Sequence, residues 1–159
     1  MTNPPQIWLG VAHHPSFRCG GWASVRGLDD AVTGTAGGAR NTTPQRMALA
    51  GLIPALRGLA AGADQIIRIR TTSPEATSLM DVLAGRAHPE EDLDLWAQVA
   101  TASKGYRLEI VRVPAKPDTP TAFADAWANL AMDKAKSTGP FTAAIPKANL
   151  ANVSGLGAI

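Results

Sequence analysis

The chain has 159 residues, 45% of them apolar and 18% charged, with 15 glycines and 12 prolines; this is enough for one compact domain and too little for two ordinary ones. No run approaches the roughly 18 apolar residues of a membrane helix, and the opening MTNPPQIWLG lacks the basic flank and apolar core of a secretory leader, so a cytoplasmic protein is expected. The net charge of +2, from 15 Lys and Arg against 13 Asp and Glu, excludes a protein that holds nucleic acid by bulk field alone, and the one cysteine, Cys19, excludes an internal disulfide.

Ile7 to Ala12 is a near-continuous apolar run, the pattern of a strand covered on both faces. Gly20 to Arg26 reads as a second strand and the Thr- and Gly-rich stretch Ala31 to Ala39 as a third at hairpin spacing, which predicts an antiparallel meander. At Asn41-Thr42-Thr43-Pro44 the pattern changes. Thr43 is a good N-cap and Pro44 suits the first helical position, while Leu49, Ile53, Leu56 and Ala60 recur at helical spacing, so a long helix is expected to end near Gly62. Pro54 lies inside it and removes the bond to the Ala50 carbonyl, which predicts a kink or break.

Ile66 to Ile69 is a short β-rich run. Thr71-Thr72-Ser73-Pro74 opens a helix through about Leu83, and Asp92 to Ala102 is helical, with Leu95 and Val99 one turn apart. Tyr106 to Val113 is the fifth strand. After the Pro-rich loop Pro114 to Pro120, a last helix carries Phe123, Trp127, Leu130 and Lys134 on one stripe. From Ser137 to Ile159 periodicity is lost, so residues 1–136 are expected to form the domain and 137–159 an irregular tail, available to a protein partner. The element order predicts an α/β fold: a mixed five-stranded sheet, three meandering strands and then parallel ones, with helices on its faces.

This order and several strings resemble the type 1 ribonuclease H family over roughly residues 6 to 136. The carrying strings are Gly20-Gly21-Trp22-Ala23 at the entry to the second strand; Asn41-Thr42-Thr43-Pro44-Gln45-Arg46-Met47-Ala48-Leu49 at the helix start; Asp94-Leu95-Trp96; and Ala124-Asp125 with Asn129-Leu130-Ala131. The resemblance implies a ribonuclease H-like fold and a site where four carboxylates hold two Mg²⁺ or Mn²⁺ ions that cut the RNA strand of an RNA–DNA hybrid. Two-metal hydrolysis needs several carboxylates converging on cations about 4 Å apart. Here the four matched positions are Gly10, Ala48, Thr72 (or Thr71, one register step away) and Asp125, so only one carboxylate stands where the family has four. The family's loop histidine has no counterpart between Pro114 and Asp118, and its basic insertion none in Ala84 to Pro89.

These departures predict a catalytically inactive protein with no resident metal, acting as a nucleic-acid-binding or protein-interaction module. Two alternatives stand beside it. One is a hybrid endonuclease with a rearranged metal site that recruits Asp118 or Glu75; the other is a structural component of a larger assembly. Strand periodicity places Arg70 and Arg68 on one face with Thr72, so Arg70 is expected to pair with Asp125 and replace the metal's charge. Asp125 also fits a plain polar helix face with Asn129 and Asp133. The resemblance implies hybrid contacts from Asn41, Thr43, Gln45 and Arg46, although capping alone accounts for Thr43. His13 and His14 are adjacent in extended chain and point to opposite sides, which disfavours a shared ion. His88 reads as a loop residue. Glu90-Glu91-Asp92 reads as a helix start favoured by the dipole. Trp22, Trp96 and Trp127 read as core.

Overall fold

The structure, a computed structural model, describes residues 5–28, 31–57, 59, 66–104 and 106–151. Three strands come first: β1 (Gln6–His14), β2 (Cys19–Leu28) and β3 (Ala31–Ala39). They form the expected antiparallel meander, with Gly10 opposite Ala23 and Gly21 opposite Gly38. Helix α1 (Pro44–Leu56) starts as capping dictates, the Thr43 hydroxyl accepting the Arg46 backbone N–H at 3.1 Å with Pro44 in the first turn. It stops at Leu56, short of Gly62, which lies outside the described residues. Pro54 denies the Ala50 carbonyl its donor, and the Arg26 guanidinium reaches from β2 to the carbonyls of Ala55 (3.2 Å) and Arg57 (2.6 Å). The helix nevertheless runs through Pro54 without the expected break and ends at Leu56, where the Arg26 cation faces the negative end of the helix dipole.

The second half supplies β4 (Ile66–Thr71), α2 (Pro74–Ser78), α3 (Met80–Leu83), α4 (Leu93–Ala102), β5 (Arg107–Arg112), α5 (Pro120–Thr138), β6 (Phe141–Ala144) and α6 (Lys147–Leu150). The single helix expected through Leu83 is two short ones meeting at Leu79. β4 runs parallel to β1 and β5 parallel to β4, giving the sheet order β5-β4-β1-β2-β3-β6. The α/β class and mixed sheet are as expected; the strand number is corrected from five to six. The sixth lies in the stretch expected to be irregular. Gly139 takes a left-handed φ of 92° that ends α5 and turns the chain back, and β6 then pairs antiparallel to β3 with Phe141 opposite Gly38. Arg40 fixes this corner by donating to the Ala135 and Lys136 carbonyls at 3.1 and 2.9 Å.

Each sheet face has its own core. On one, Ile7, Leu9, Ile67 and Ile69 pack with Leu49, Leu52 and Leu56 of α1 and with Trp96 and Val99 of α4. Each such aliphatic side chain taken fully from water contributes about 1.5–3 kcal/mol. On the other face, Trp8, Ala12, Ala23 and Val25 pack with Ala124, Ala128 and Ala131 of α5. The expectation that Trp127 is core is therefore corrected. The inward row of α5 is Ala124, Ala128, Ala131 and Ala135, while Leu130 stays 59% exposed and Phe123 and Trp127 are only half-buried. The reason lies in the sheet: a Cβ added to Gly21 would stand 2.2 Å from the Ala128 carbonyl oxygen, and one on Gly38 2.7 Å from that of Ala131. Glycines below and alanines above bring the helix backbone onto the sheet, leaving no room for larger side chains. Trp22 and Trp96 are buried as expected, and Trp8 joins the α5 core. No helix among the described residues is long and apolar enough to cross a membrane.

Candidate functional site

Three of the four matched positions come together where β1, the end of β4 and the first turns of α5 meet. Gly10 lies on the α5 face of β1, and a Cβ there would stand 2.3 Å from the Ala124 carbonyl oxygen and 2.6 Å from the Asp125 backbone nitrogen. Thr72 follows β4 directly, and its hydroxyl donates to Oδ2 of Asp125 at 2.6 Å. Ala48 does not join them. It is fully buried on α1, in the core of the opposite face.

Asp125 is half-buried, and its carboxyl is held above the usual carboxylate range by the loss of water around it; the Thr72 hydrogen bond opposes that shift only in part. Arg70 does not relieve it. The register sets Arg70 opposite Trp8, on the face that α5 covers, as the periodicity predicted, but its guanidinium lies 3.5 Å from the side-chain oxygen of Gln6. The expected Arg70–Asp125 pair is thus corrected. A hydroxyl one residue beyond the strand reaches the carboxylate first, and a cross-strand neighbour occupies the arginine. Beside Thr72 opens a cleft of about 460 Å³ lined by Arg112, Val113, Pro114 and Ala115.

These donors do not fit a pair of divalent cations. Position 10 has no side chain and no space for one, Ala48 offers a methyl group facing the core, and Thr72 offers a neutral hydroxyl. The remaining carboxylate already accepts that hydroxyl. Mg²⁺ asks for near-octahedral oxygen ligands with carboxylate charge among them. Among the described residues no three His, Cys, Asp or Glu side chains gather in a metal-holding group. Glu75 turns to the Ser73 hydroxyl at 3.1 Å, and Asp118 is exposed with a left-handed φ of 60°. His13 and His14 diverge as expected: the His13 Nε2 lies 2.9 Å from the Thr42 carbonyl oxygen, while the His14 Nδ1 accepts the Phe17 backbone N–H at 3.4 Å.

The residues matched to hybrid contact surround the start of α1. Asn41 is exposed with a left-handed φ of 51°, Thr43 is exposed with its hydroxyl engaged in the cap, and Gln45 is half-buried. Arg46 is engaged elsewhere. Its guanidinium takes Oδ1 and Oδ2 of Asp94 at 3.1 and 2.9 Å and Oδ1 of Asp92 at 3.0 Å, tying α1 to the start of α4. The same hydrogen bonds draw the Asp94 carboxyl down to about 2. The acids before α4 thus do more than favour its dipole. Nothing in their spacing from Arg46 announces this pairing, because it crosses 46 to 48 residues of chain.

No protein-family model matches the chain, and a search of curated proteins finds no match. Solved structures do match. The N-terminal RNase H domain of Rv2228c from Mycobacterium tuberculosis, solved as a fusion with maltose binding protein, is 18% identical with a TM-score of 0.63, over 83% of this chain and 95% of that one. RNase H1 from the halophilic archaeon Halobacterium salinarum NRC-1 is 22% identical with a TM-score of 0.56, over 83% of this chain and 99% of that one. The chain therefore has the ribonuclease H-like fold.

Proposed function

We propose that this protein is a catalytically inactive domain of the ribonuclease H-like fold that binds nucleic acid without cutting it. The observation that carries this reading is the closure at position 10: the α5 backbone lies within 2.3 Å of where a side chain would begin, at the place where the resemblance requires a metal-holding carboxylate. Such an arrangement follows from backbone packing along a whole helix, so one compensating acid elsewhere does not reverse it. Thr72 and Asp125 then act as a structural latch between the end of β4 and α5.

Binding is assigned to the start of α1. Asn41 and Gln45 offer amide groups suited to base edges and sugars, and Thr43 fixes the helix start that carries them. Arg46 supports this surface through Asp92 and Asp94 and has few donors left for phosphate. RNA–DNA hybrid is the ligand to try first, since the two solved structures compared above are an RNase H domain and an RNase H1.

The test combines labelled RNA–DNA hybrid with the protein in Mg²⁺ or Mn²⁺. The expected result is saturable, salt-sensitive binding with the RNA strand intact. Cleavage that disappears in Asp125→Asn would establish instead a hybrid endonuclease with a rearranged site. Absence of binding to hybrid, duplex and single strand alike would leave a protein-interaction or assembly role.

A further inference from the structure

Several described cations of this chain are engaged internally. Arg26 and Arg40 hold helix carbonyls, Arg46 holds Asp92 and Asp94, Arg86 pairs with Asp81, and Lys134 and Lys136 lie over the rings of Phe141 and Phe17. The strands β4 and β5 concentrate positive charge. Their twelve residues hold four arginines and one acid. The pairing Ile66 to Arg107, Arg68 to Glu109 and Arg70 to Val111 puts Arg107, Arg68 and Arg70 on the face that carries Trp8.

Among the described residues that face is covered only in part. α5 packs on β1, β2 and β3, and Trp8 on β1 is 5% exposed. One strand further out burial ends: Arg68 and Arg107 are exposed, Ile66 is 36% exposed, and Glu109 and Val111 are half-exposed. Same-face residues recur at roughly 7 Å along a strand, and neighbouring strands lie about 4.8 Å apart, so Arg107, Arg68 and Arg70 form a diagonal cationic track. Glu109 balances one of the three, 3.5 Å from the Arg68 Nε. Phe123 and Trp127, a tilted ring pair with centroids 6.2 Å apart, pack half-buried against the cluster containing Trp8.

We infer that the open β4–β5 face binds single-stranded nucleic acid, the arginine track following its phosphates. The inference rests on the nucleic-acid reading above and adds to it a second surface, across the sheet from α1. A sheet face is too broad to enter a duplex groove, whereas a single strand can lie on it with its bases turned outward or stacked. The charge excess fits a polyanion.

Anisotropy with labelled 20-nucleotide dT and U strands tests this, using inorganic polyphosphate and poly-glutamate as competitors. Arg68→Gln with Arg107→Gln is expected to weaken binding roughly tenfold and to lower the salt slope by about 0.7 for each phosphate left without its arginine. Both side chains are exposed, and circular dichroism checks that the pair of changes leaves the fold intact. Asn41→Ala with Gln45→Ala should leave single-strand binding unchanged. Wild-type affinity in the double arginine variant would overturn the inference, as would displacement of the strand by polyphosphate or poly-glutamate as readily as by oligonucleotide. Loss confined to the Asn41 and Gln45 variant would overturn this surface and leave the nucleic-acid reading standing. Failure to bind any oligonucleotide would overturn both.

Discussion

The Thr72 hydroxyl donates to Oδ2 of Asp125 across 2.6 Å, joining the end of β4 to the second turn of α5, and so supports a carboxyl group that burial has pushed upward. Thr72→Val keeps the shape of the side chain and removes that donor. It is expected to destabilise the protein by about 1–2 kcal/mol, the range for losing a hydrogen bond to an ionised group at a partly wet site. Urea denaturation at pH 7 measures the loss, and carbon NMR of the Asp125 carboxyl should show its titration moving higher still. An unchanged titration would mean that the hydroxyl does not serve the carboxylate in solution.

Asp125 and Asp94 give opposite signs in acid. Asp125 has a raised folded pKa, so its ionised form is penalised only in the folded state; as pH falls through that raised value the folded state takes up the proton first and stability rises. Asp94 is depressed to about 2 from an ordinary 3.8, so the stability it brings is present above 3.8 and is lost as pH falls from there toward 2. Asp125→Asn keeps an acceptor for Thr72 and removes the desolvated charge. The variant should therefore be at least as stable as the parent at pH 7 and should lose the gain on mild acidification, while the fall near pH 2 to 4 persists. Calorimetric melting across that pH series checks both signs, and a variant clearly less stable at neutral pH would mean that the Asp125 charge is not penalised in the folded state.

Gly10 offers a steric test. A methyl group placed there meets backbone atoms of α5, which cannot swing aside as a side-chain tip can. Gly10→Ala is expected to cost about 1–3 kcal/mol, the ordinary range for overpacking a core, and Gly10→Asp more, since it buries a carboxylate as well. Gly21→Ala should behave like Gly10→Ala, whereas Gly85→Ala, in open space, meets no such clash and answers only to its left-handed φ of 77°. Denaturation midpoints that do not separate Gly10 and Gly21 from Gly85 would show that α5 sits farther from the sheet.

What sequence patterning conveyed depended on whether a feature was local. The meander, the Thr43-Pro44 start of α1, and the parallel β4 and β5 follow from alternation, capping and spacing, and all are present. Missed features depend on backbone approach or distant pairing. The burial of α5 through alanines was written in Ala124, Ala128, Ala131 and Ala135 at helical period, but hydrophobicity ranks Phe123, Trp127 and Leu130 above them. Only the matching glycines on β1, β2 and β3 reveal which row lies inward. The strand β6 is four residues of Phe, Thr and Ala between Pro140 and Pro146, too short to show alternation and made by its pairing to β3. At the site, three of four matched positions did meet, while the partners of Arg70 and Arg46 came from other elements that no local pattern links.

The link from Arg46 to Asp94 and Asp92 separates a structural arginine from a nucleic-acid contact. Its guanidinium reaches acids at the start of α4, and Asp94 is largely exposed, so salt screens much of the attraction. Arg46→Ala should lower the melting temperature modestly, and the difference from the parent should shrink as salt is raised. Arg46→Lys should recover only part of it, because an ammonium cannot reproduce the two parallel bonds to Asp94. If Arg46 instead contacted phosphate, Arg46→Ala would reduce the salt slope of hybrid binding by about 0.7–0.9. The geometry predicts an unchanged slope, with any loss of affinity arising from displacement of Asn41 and Gln45, and a titration of hybrid at two salt concentrations reads the difference directly.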